Sequence, residues 1–373
     1  MNGRRIRLSV NMKYTYPYKI LIVAPSLDIM GGQAVQADLL MKNLRADGVE
    51  VGFVPHNPRP PGILYELTKI KYIRTLVVSF FYLLRLLWQI PQYDIVHVFS
   101  ASYISFLLAP SPAIIIARYF GKKTILNYRS GECRDHLKRQ GKIAIPIMKL
   151  ADKIVVPSGY LVDEFASFGL KAEYVYNLVD LSQFIYRERR RFEPKIIVAR
   201  NLEKLYNIPA SIRAFQIIKA RFPEACLTIV GAGPEWERLK LMVDNEKVGD
   251  ISFTGRVERD DIGQLYAQND VFLNSSDIDN MPVSFLEAYA CGLAVISTDA
   301  GGIPYICEDG KTGLLVNRND HEGLARCVLR ILDENGLGYN LTSRARQECD
   351  KFTWPSVGTC WHRVYMDLYH AEK

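Results

Sequence analysis

The chain contains no C-x-x-C pair, and its seven cysteines follow no regular spacing. That excludes a disulfide framework and a cysteine-built zinc site, and it reads as reduced thiols in a cytosolic protein. Long apolar runs are also missing. The most apolar stretch, LVVSFFYLL at residues 76–84, stops at Arg85, well short of the roughly 20 residues that span a bilayer. No transmembrane helix is therefore expected. The opening residues, MNGRRIRLSVNMKYTYPYK, are basic but lack an apolar core followed by a small-residue cleavage site. No signal peptide is expected either, and residues 1–18 read as a basic extension. With 23% charged and 49% hydrophobic residues, the composition excludes disorder, collagen and coiled coil.

What is present is enough chain for two domains. The length is 373 residues, against roughly 150 per domain. Charge divides unevenly: residues 1–184 carry 23 Lys and Arg against 13 Asp and Glu, and residues 185–373 carry 24 against 27. A basic first half suits an anionic partner, such as a membrane surface, a phosphorylated substrate or nucleic acid, or else a solvated surface.

Short apolar runs alternate with amphipathic segments. KILIVAPS, VEVGFVP, DIVHVFS, KTILNYRS, DKIVVPS and AEYVYNL form one series of strand patterns; PKIIVAR, ACLTIVGAG, ISFTGRV, DVFLNSS and LAVISTDAGG form a second. Strands separated by helical patterns mean parallel α/β units. The charged stretch YRERRRFEPK at 186–195 lies between the series. The chain thus reads as two doubly wound domains, 19–187 and 188–354, with a ligand in the cleft between them. One segment stands apart. LTKIKYIRTLVVSFFYLLRLLWQI at 67–90 has helical spacing, with Lys71, Arg74, Arg85 and Gln89 on one face and aliphatic and aromatic residues elsewhere. It reads either as a buried helix with one wet edge or as an interfacial helix that sets Lys71, Arg74 and Arg85 on lipid phosphates.

Three short patterns carry little. Gly231-Ala-Gly233 begins like a dinucleotide fingerprint, but Trp236 fills the third glycine position and prevents the close helix–strand packing that motif needs. Gly310-Lys311-Thr312 resembles the end of a P-loop, but Tyr305 stands at its first glycine. Asp277 and Asp279 bring no further hard oxygen ligands for a divalent metal, so no metal is expected. Beyond the charge balance no pattern names a nucleic acid, and no nucleic-acid partner is expected.

The strongest pattern is VFLNSSDIDNMPVSFLEAYACGLAVISTDAGGIPYICEDGKTGLLV at 271–316. It resembles the retaining GT-B glycosyltransferases of family four, in which a loop carboxylate precedes a helix glutamate by seven intervening residues; here these are Asp279 and Glu287. The resemblance implies that Glu287 accepts hydrogen bonds from the ribose hydroxyls and that Asp279 faces the donor sugar. It places the loop and helix start Asn280, Met281, Pro282 and Val283 beside the donor, where a helix N-terminus suits an anion. In IIVARNLEKLYNIPASIRAF at 196–215, Arg200 and Lys204 match the family's two cations, which stabilise charge growing on the leaving diphosphate. Gly233 in GAGPEWERL matches the glycine turn beside the nucleotide, and Arg256 and Val257 in FTGRV match the base-contacting loop. Gly31 and Gly32 match the first domain's glycine loop. The closing segment, 355–373, matches a helix that crosses back onto the first domain. One departure is Arg129, where related members carry histidine near the reacting sugar; His97 and His136 are nearby in sequence.

Family membership implies a GT-B fold, two Rossmann-like domains facing across a cleft, and a metal-independent, retaining glycosyl transfer. The donor would be a UDP- or GDP-sugar, with no further cofactor. The acceptor would be a lipid-linked or envelope glycan, and the protein cytoplasmic, peripheral on the inner membrane face. A catalytically weak nucleotide-sugar-binding scaffold, an epimerase and a phosphorylase are the alternatives.

Overall fold

The computed structural model describes residues 16–28, 31–62, 64–67 and 69–371, with the side chains of 67, 71, 72, 259 and 260 outside that description. Most of the basic extension, residues 1–15, lies outside it as well. Tyr18, at its end, is buried against the last helix of the chain.

Two six-stranded sheets organise the molecule. The first contains β1 (Lys19–Ala24), β2 (Glu50–Pro55), β3 (Ile95–Ser100), β4 (Lys123–Tyr128), β5 (Lys153–Val156) and β6 (Glu173–Tyr174), in the order β2-β1-β3-β4-β5-β6. The second contains β7 (Lys195–Ala199), β8 (Cys226–Val230), β9 (Ile251–Gly255), β10 (Val271–Asn274), β11 (Ala294–Thr298) and β12 (Leu314–Val316), in the order β12-β11-β10-β7-β8-β9. Neighbouring strands pair in parallel throughout, with Ile22 of β1 opposite Phe53 on one side and His97 on the other. These are doubly wound Rossmann-like domains of the GT-B type. The inner strands are apolar along most of their length because helices cover both faces of each sheet, whereas the edge strand β9 reads ISFTG with no buried residue. All six residues of β3 are buried.

Each sheet reverses its winding once, between β1 and β3 in the first and between β7 and β10 in the second. Ligands in open α/β sheets bind beyond the carboxyl ends of strands at such a reversal. The residues after β1, β3, β7 and β10 are therefore the ones to inspect.

The helix Trp354–His370 returns to the first sheet. Val357, Trp361, Val364, Tyr365 and Leu368 pack into the core formed by β1, β3 and the helix Gly32–Ala46. The charged stretch between the sheets is anchored to the second one. Arg189 is 3% exposed. It donates to the carboxylate of buried Asp270 at 3.0 Å and to the carbonyls of Cys291 and Asn269 at 2.6 and 2.7 Å.

The segment read as buried or interfacial forms the helix Lys71–Gln89. Tyr82 and Leu86 fix one side to the first domain, and the Tyr82 hydroxyl donates to the Ala109 carbonyl at 2.7 Å. The opposite side is apolar and open, with Leu76 and Trp88 exposed at 73% and 71%. The stretch Ile73–Gln92 is long and apolar enough to cross a bilayer by length and composition, with 17% of its apolar window buried. A reading by uninterrupted runs misses this because Arg85 divides the run.

Candidate functional site

The second sheet places the key side chains at its winding reversal. Arg200 directly follows β7, and its backbone N–H donates to the Val230 carbonyl at 3.0 Å. Its Nε donates to Asn274 Oδ1, at the end of β10, at 2.9 Å, and its Nη2 donates to Asp279 Oδ2. The guanidinium lies 5.0 Å from the centroid of the Tyr206 ring. The Arg200 and Asp279 side chains are only 9% and 10% exposed, so the pair is shielded from bulk water and screened little by salt. Asp279 also accepts from the Asn280 N–H at 2.9 Å, with Ser276 Oγ at 3.3 Å. Burial pushes its carboxyl up, and Arg200 opposes that shift.

Two glycines hold this loop from beneath. A Cβ at Gly301 would stand 2.1 Å from the Asp279 carbonyl oxygen, and one at Gly302 would stand 2.0 Å from that of Asn280. Gly301 also takes φ +55°, a region costly for other residues. The GG of DAGG is therefore a support for the loop.

The helix Val283–Cys291 begins after Pro282. Glu287 stands one turn in and accepts from the hydroxyl of fully buried Tyr266 at 2.9 Å. Lys204 opens a short 3-10 turn, Lys204–Tyr206, and is exposed, with no ion-pair partner among the described residues. Gly231 and Gly233 lie against the Arg200–Leu202 backbone. A Cβ at Gly231 would stand 1.8 Å from the Arg200 oxygen, and one at Gly233 would stand 2.4 Å from the Leu202 oxygen. Arg256 is exposed after β9, and Val257 packs on the second domain's core.

The first domain grips the same loop from across the cleft. Ser158 caps the helix Gly159–Ser167, accepting from Leu161 N–H, and its hydroxyl donates to Asn280 Oδ1. Asn177 donates from Nδ2 to the Met281 carbonyl at 2.7 Å. Met281 is thus turned into the interior at 5% exposure. Asn280 Nδ2 is buried with no partner among the described residues. Tyr305 reaches back from the second domain and donates to Asp163 at 2.6 Å. Ser158, Asn177, Asn274, Ser276 and Tyr266 were not singled out from sequence. Their signal is weak: the Asn-Ser-Ser run that closes β10 and the Ser-Gly step that opens a helix.

Gly31 and Gly32 open the helix Gly32–Ala46, and a Cβ at either would meet nothing within 4 Å. Among the described residues no neighbour requires glycine there. Arg129 follows β4 and donates to Asn127 and Asn177. His97 and His136 are core residues at 0% exposure. Nδ1 of His97 lies 2.8 Å from the Tyr365 hydroxyl, and Nδ1 of His136 lies 2.9 Å from that of Tyr128. Burial lowers their pKa to about 3 and about 4. Asp277 is tied to Asn207 at 3.2 Å, and no group of three metal-ligating side chains occurs among the described residues. Arg74 and Arg85 are exposed on the outer helix; the Lys71 side chain lies outside the described residues.

Comparison with known proteins agrees with the two-sheet fold and identifies the family. The family model for glycosyl transferases group 1 matches residues 185–348, and that for Glycosyltransferase Family 4 matches residues 30–183. N-acetyl-alpha-D-glucosaminyl L-malate synthase of Bacillus anthracis is 28% identical over 53% of this chain and 54% of its own length. GDP-mannose-dependent alpha-(1-6)-phosphatidylinositol monomannoside mannosyltransferase of Mycolicibacterium smegmatis is 30% identical over 49% of this chain and 53% of its own length. The chain thus spans about half the length of these curated relatives. The solved structure of Anabaena HepE in complex with UDP-glucose superimposes with a TM-score of 0.71 over 94% of this chain and 100% of that one, at 16% identity, a likeness of fold.

Proposed function

Because the chain belongs to the group 1 glycosyltransferases of GT-B fold, we propose that it moves a sugar from a UDP- or GDP-sugar to a lipid-linked or envelope glycan, with retention of configuration. The observation that carries this reading is the pairing of Arg200 with Asp279 at the winding reversal of the second sheet, beside Asn280 Nδ2, which is buried without a partner among the described residues. Relatives and neighbours support the donor class: the mannosyltransferase is named as GDP-mannose-dependent, and the Anabaena structure holds UDP-glucose.

In this reading Glu287 holds the ribose, and the backbone around Arg256 and Val257 reads the base. Gly31, Gly32 and Gly233 let main chain approach the diphosphate. The free N–H groups at the start of the helix Gly32–Ala46 add a positive dipole end. As the sugar C1–O bond to the diphosphate breaks, negative charge grows on the leaving oxygen, and Arg200 and Lys204 stabilise it. The acceptor oxygen bonds C1 from the same face, and its proton passes to the leaving phosphate. Asp279 orients the donor sugar and holds Arg200. No step is routed through a metal.

The acceptor side is the basic first domain. Its helix Lys71–Gln89 presents Ile73, Leu76, Phe80, Leu84, Leu87 and Trp88 outward, flanked by Arg74 and Arg85. A contiguous exposed apolar face of this kind marks an interaction surface, and basic flanks suit anionic lipid. Its docking on Tyr82 and Leu86 favours a helix lying on the membrane. The protein is then cytoplasmic and peripheral.

The experiment is thermal stabilisation by UDP, GDP and their sugars, since a ligand of the folded state raises the melting temperature, followed by transfer to membrane-extracted lipid acceptor. Stabilisation by one nucleotide with product formation supports the transferase. Binding without turnover on any acceptor supports the scaffold alternative, and no binding by any nucleotide removes the reading.

A further inference from the structure

Arg129 stands at the cleft wall after β4, its N–H donating to the Ser100 carbonyl at 3.0 Å. Its guanidinium lies 5.3 Å from the centroid of the Phe99 ring. Nη1 donates to Asn127 Oδ1 at 3.3 Å, and Nη2 donates to Asn177 Oδ1. Other bonds fix the orientation of both amides. Asn127 Nδ2 lies 3.0 Å from Nε2 of His97, and Asn177 Nδ2 donates to the Met281 carbonyl at 2.7 Å. His97 is neutral, because burial and Arg129 itself hold its pKa down at about 3. Its Nε2 is then free to accept from Asn127 while Nδ1–H faces the Tyr365 hydroxyl. Each amide can therefore offer Arg129 only a neutral oxygen.

No carboxylate among the described residues offsets this charge. Two other deep-lying arginines differ: Arg189 is paired with Asp270 and Arg200 with Asp279. Burial draws the Arg129 pKa down to about 9, which still leaves it charged at neutral pH. A half-buried cation with no carboxylate beside it among the described residues is costly, and the cost is offset when a ligand brings the counter-charge. A guanidinium has five N–H donors in a planar fork, and two are taken by the amides. The fork suits a carboxylate bound bidentately.

The position indicates which substrate brings it. Asn177 links Arg129 directly to Met281 of the donor loop. A Cβ at Gly131, two residues beyond Arg129, would stand 3.2 Å from the Asp279 carbonyl carbon. Arg129 therefore lies one side chain away from the donor loop, next to the place assigned to the transferred sugar. We infer that Arg129 is a specificity-determining residue that binds the carboxylate of an acidic donor sugar, so that the donor is a nucleoside diphosphate uronic acid. This inference rests on the donor site proposed above.

The test is calorimetric binding of UDP-glucuronate against UDP-glucose, and of GDP-mannuronate against GDP-mannose, with bare UDP and GDP as controls. For the base that binds, the wild type is expected to prefer the uronate by about 10- to 100-fold, the scale of a bidentate charge-assisted contact. Arg129→Gln should abolish the preference while keeping bare-nucleotide affinity within about threefold, below the tenfold step of 1.4 kcal/mol. Arg129→Lys keeps the charge without the fork and should restore part of the preference. A variant kept only for volume, not charge, would show no difference between Gln and Lys. Equal binding of acidic and neutral sugars, a preference surviving Arg129→Gln, or an anion preference seen only with the acceptor overturns the inference. Failure of bare UDP and GDP to bind the wild type overturns the donor-site reading together with it; nucleotide binding without uronate preference overturns the inference alone.

Discussion

Glu287 offers the sharpest separation of binding from stability. Its carboxylate accepts from the hydroxyl of Tyr266, which is fully buried. Glu287→Ala strands that hydroxyl, at a cost of about 1–3 kcal/mol for an unsatisfied buried donor. It also removes the proposed ribose contact, two hydrogen bonds to a charged group worth about 1.5–3 kcal/mol each. The combined loss in nucleotide affinity is then at least about 3 kcal/mol, or ~100-fold. Glu287→Gln keeps an oxygen for Tyr266 but loses the charge. Its melting temperature should stay close to that of the wild type while UDP or GDP affinity falls by about tenfold or more. Thermal denaturation measures the first quantity and calorimetry the second. If Glu287→Gln binds nucleotide as tightly as the wild type, Glu287 is a structural acceptor for Tyr266 and the ribose assignment fails.

Three other outcomes are expected. Leu84→Glu with Trp88→Glu should release the protein from anionic vesicles, since burying each such side chain is worth about 1.5–3 kcal/mol, and Arg74→Glu with Arg85→Glu should weaken binding by about 1 kcal/mol per residue; unchanged co-sedimentation in both refutes the interfacial helix. Asp270→Ala should lower stability by about 3–5 kcal/mol, because it leaves buried Arg189 without its counter-ion; a urea titration showing under about 1 kcal/mol would mean the pair behaves as an exposed one. Acid should destabilise the fold early. Burial lowers His56 and His136 to about 4 and His97 to about 3, so below about pH 6.5 the unfolded chain binds protons that the native state does not. Stability falls as pH drops through that window, by up to about 1.4 kcal/mol per pH unit for each histidine. His97→Gln should reduce the slope measured between pH 6 and 4.5, and an unchanged slope would refute the assignment.

Much of this was legible from local pattern. Near-continuous apolar runs marked the strands, because parallel strands are buried on both faces. β12 escaped because three paired residues carry little periodicity. The donor loop was legible through its chemistry, and folding brings Arg200 and Asp279 into contact across 79 positions. The grip of Ser158 and Asn177 on Asn280 and Met281 was not legible. It joins residues over 100 positions apart, and neither is unusual in its own segment. Arg189 was hidden for another reason. A charged run ordinarily reads as solvated, and only burial beside Asp270 shows that one of its arginines is an anchor. The outer helix was half legible: spacing identified the helix, but which side met the protein depended on where β2 and the helix Pro110–Tyr119 lay.

The helix Trp354–His370 has a consequence for the order of events during synthesis. Domains generally fold as they emerge from the ribosome, first-made first. Here the first domain cannot close its core on that schedule. Trp361 and Tyr365 cover the face of β1 and β3, and Tyr365 supplies the hydroxyl that meets His97. Until these residues leave the exit tunnel, that face is covered only in part, by the helix Gly32–Ala46, and Nδ1 of the buried histidine lacks its hydroxyl partner. The second sheet, its helices contiguous from Ile208 to Glu348, can finish beforehand. Nascent chains are therefore expected to mature back to front, and a truncation before residue 354 should expose its damage in the half of the protein made earliest.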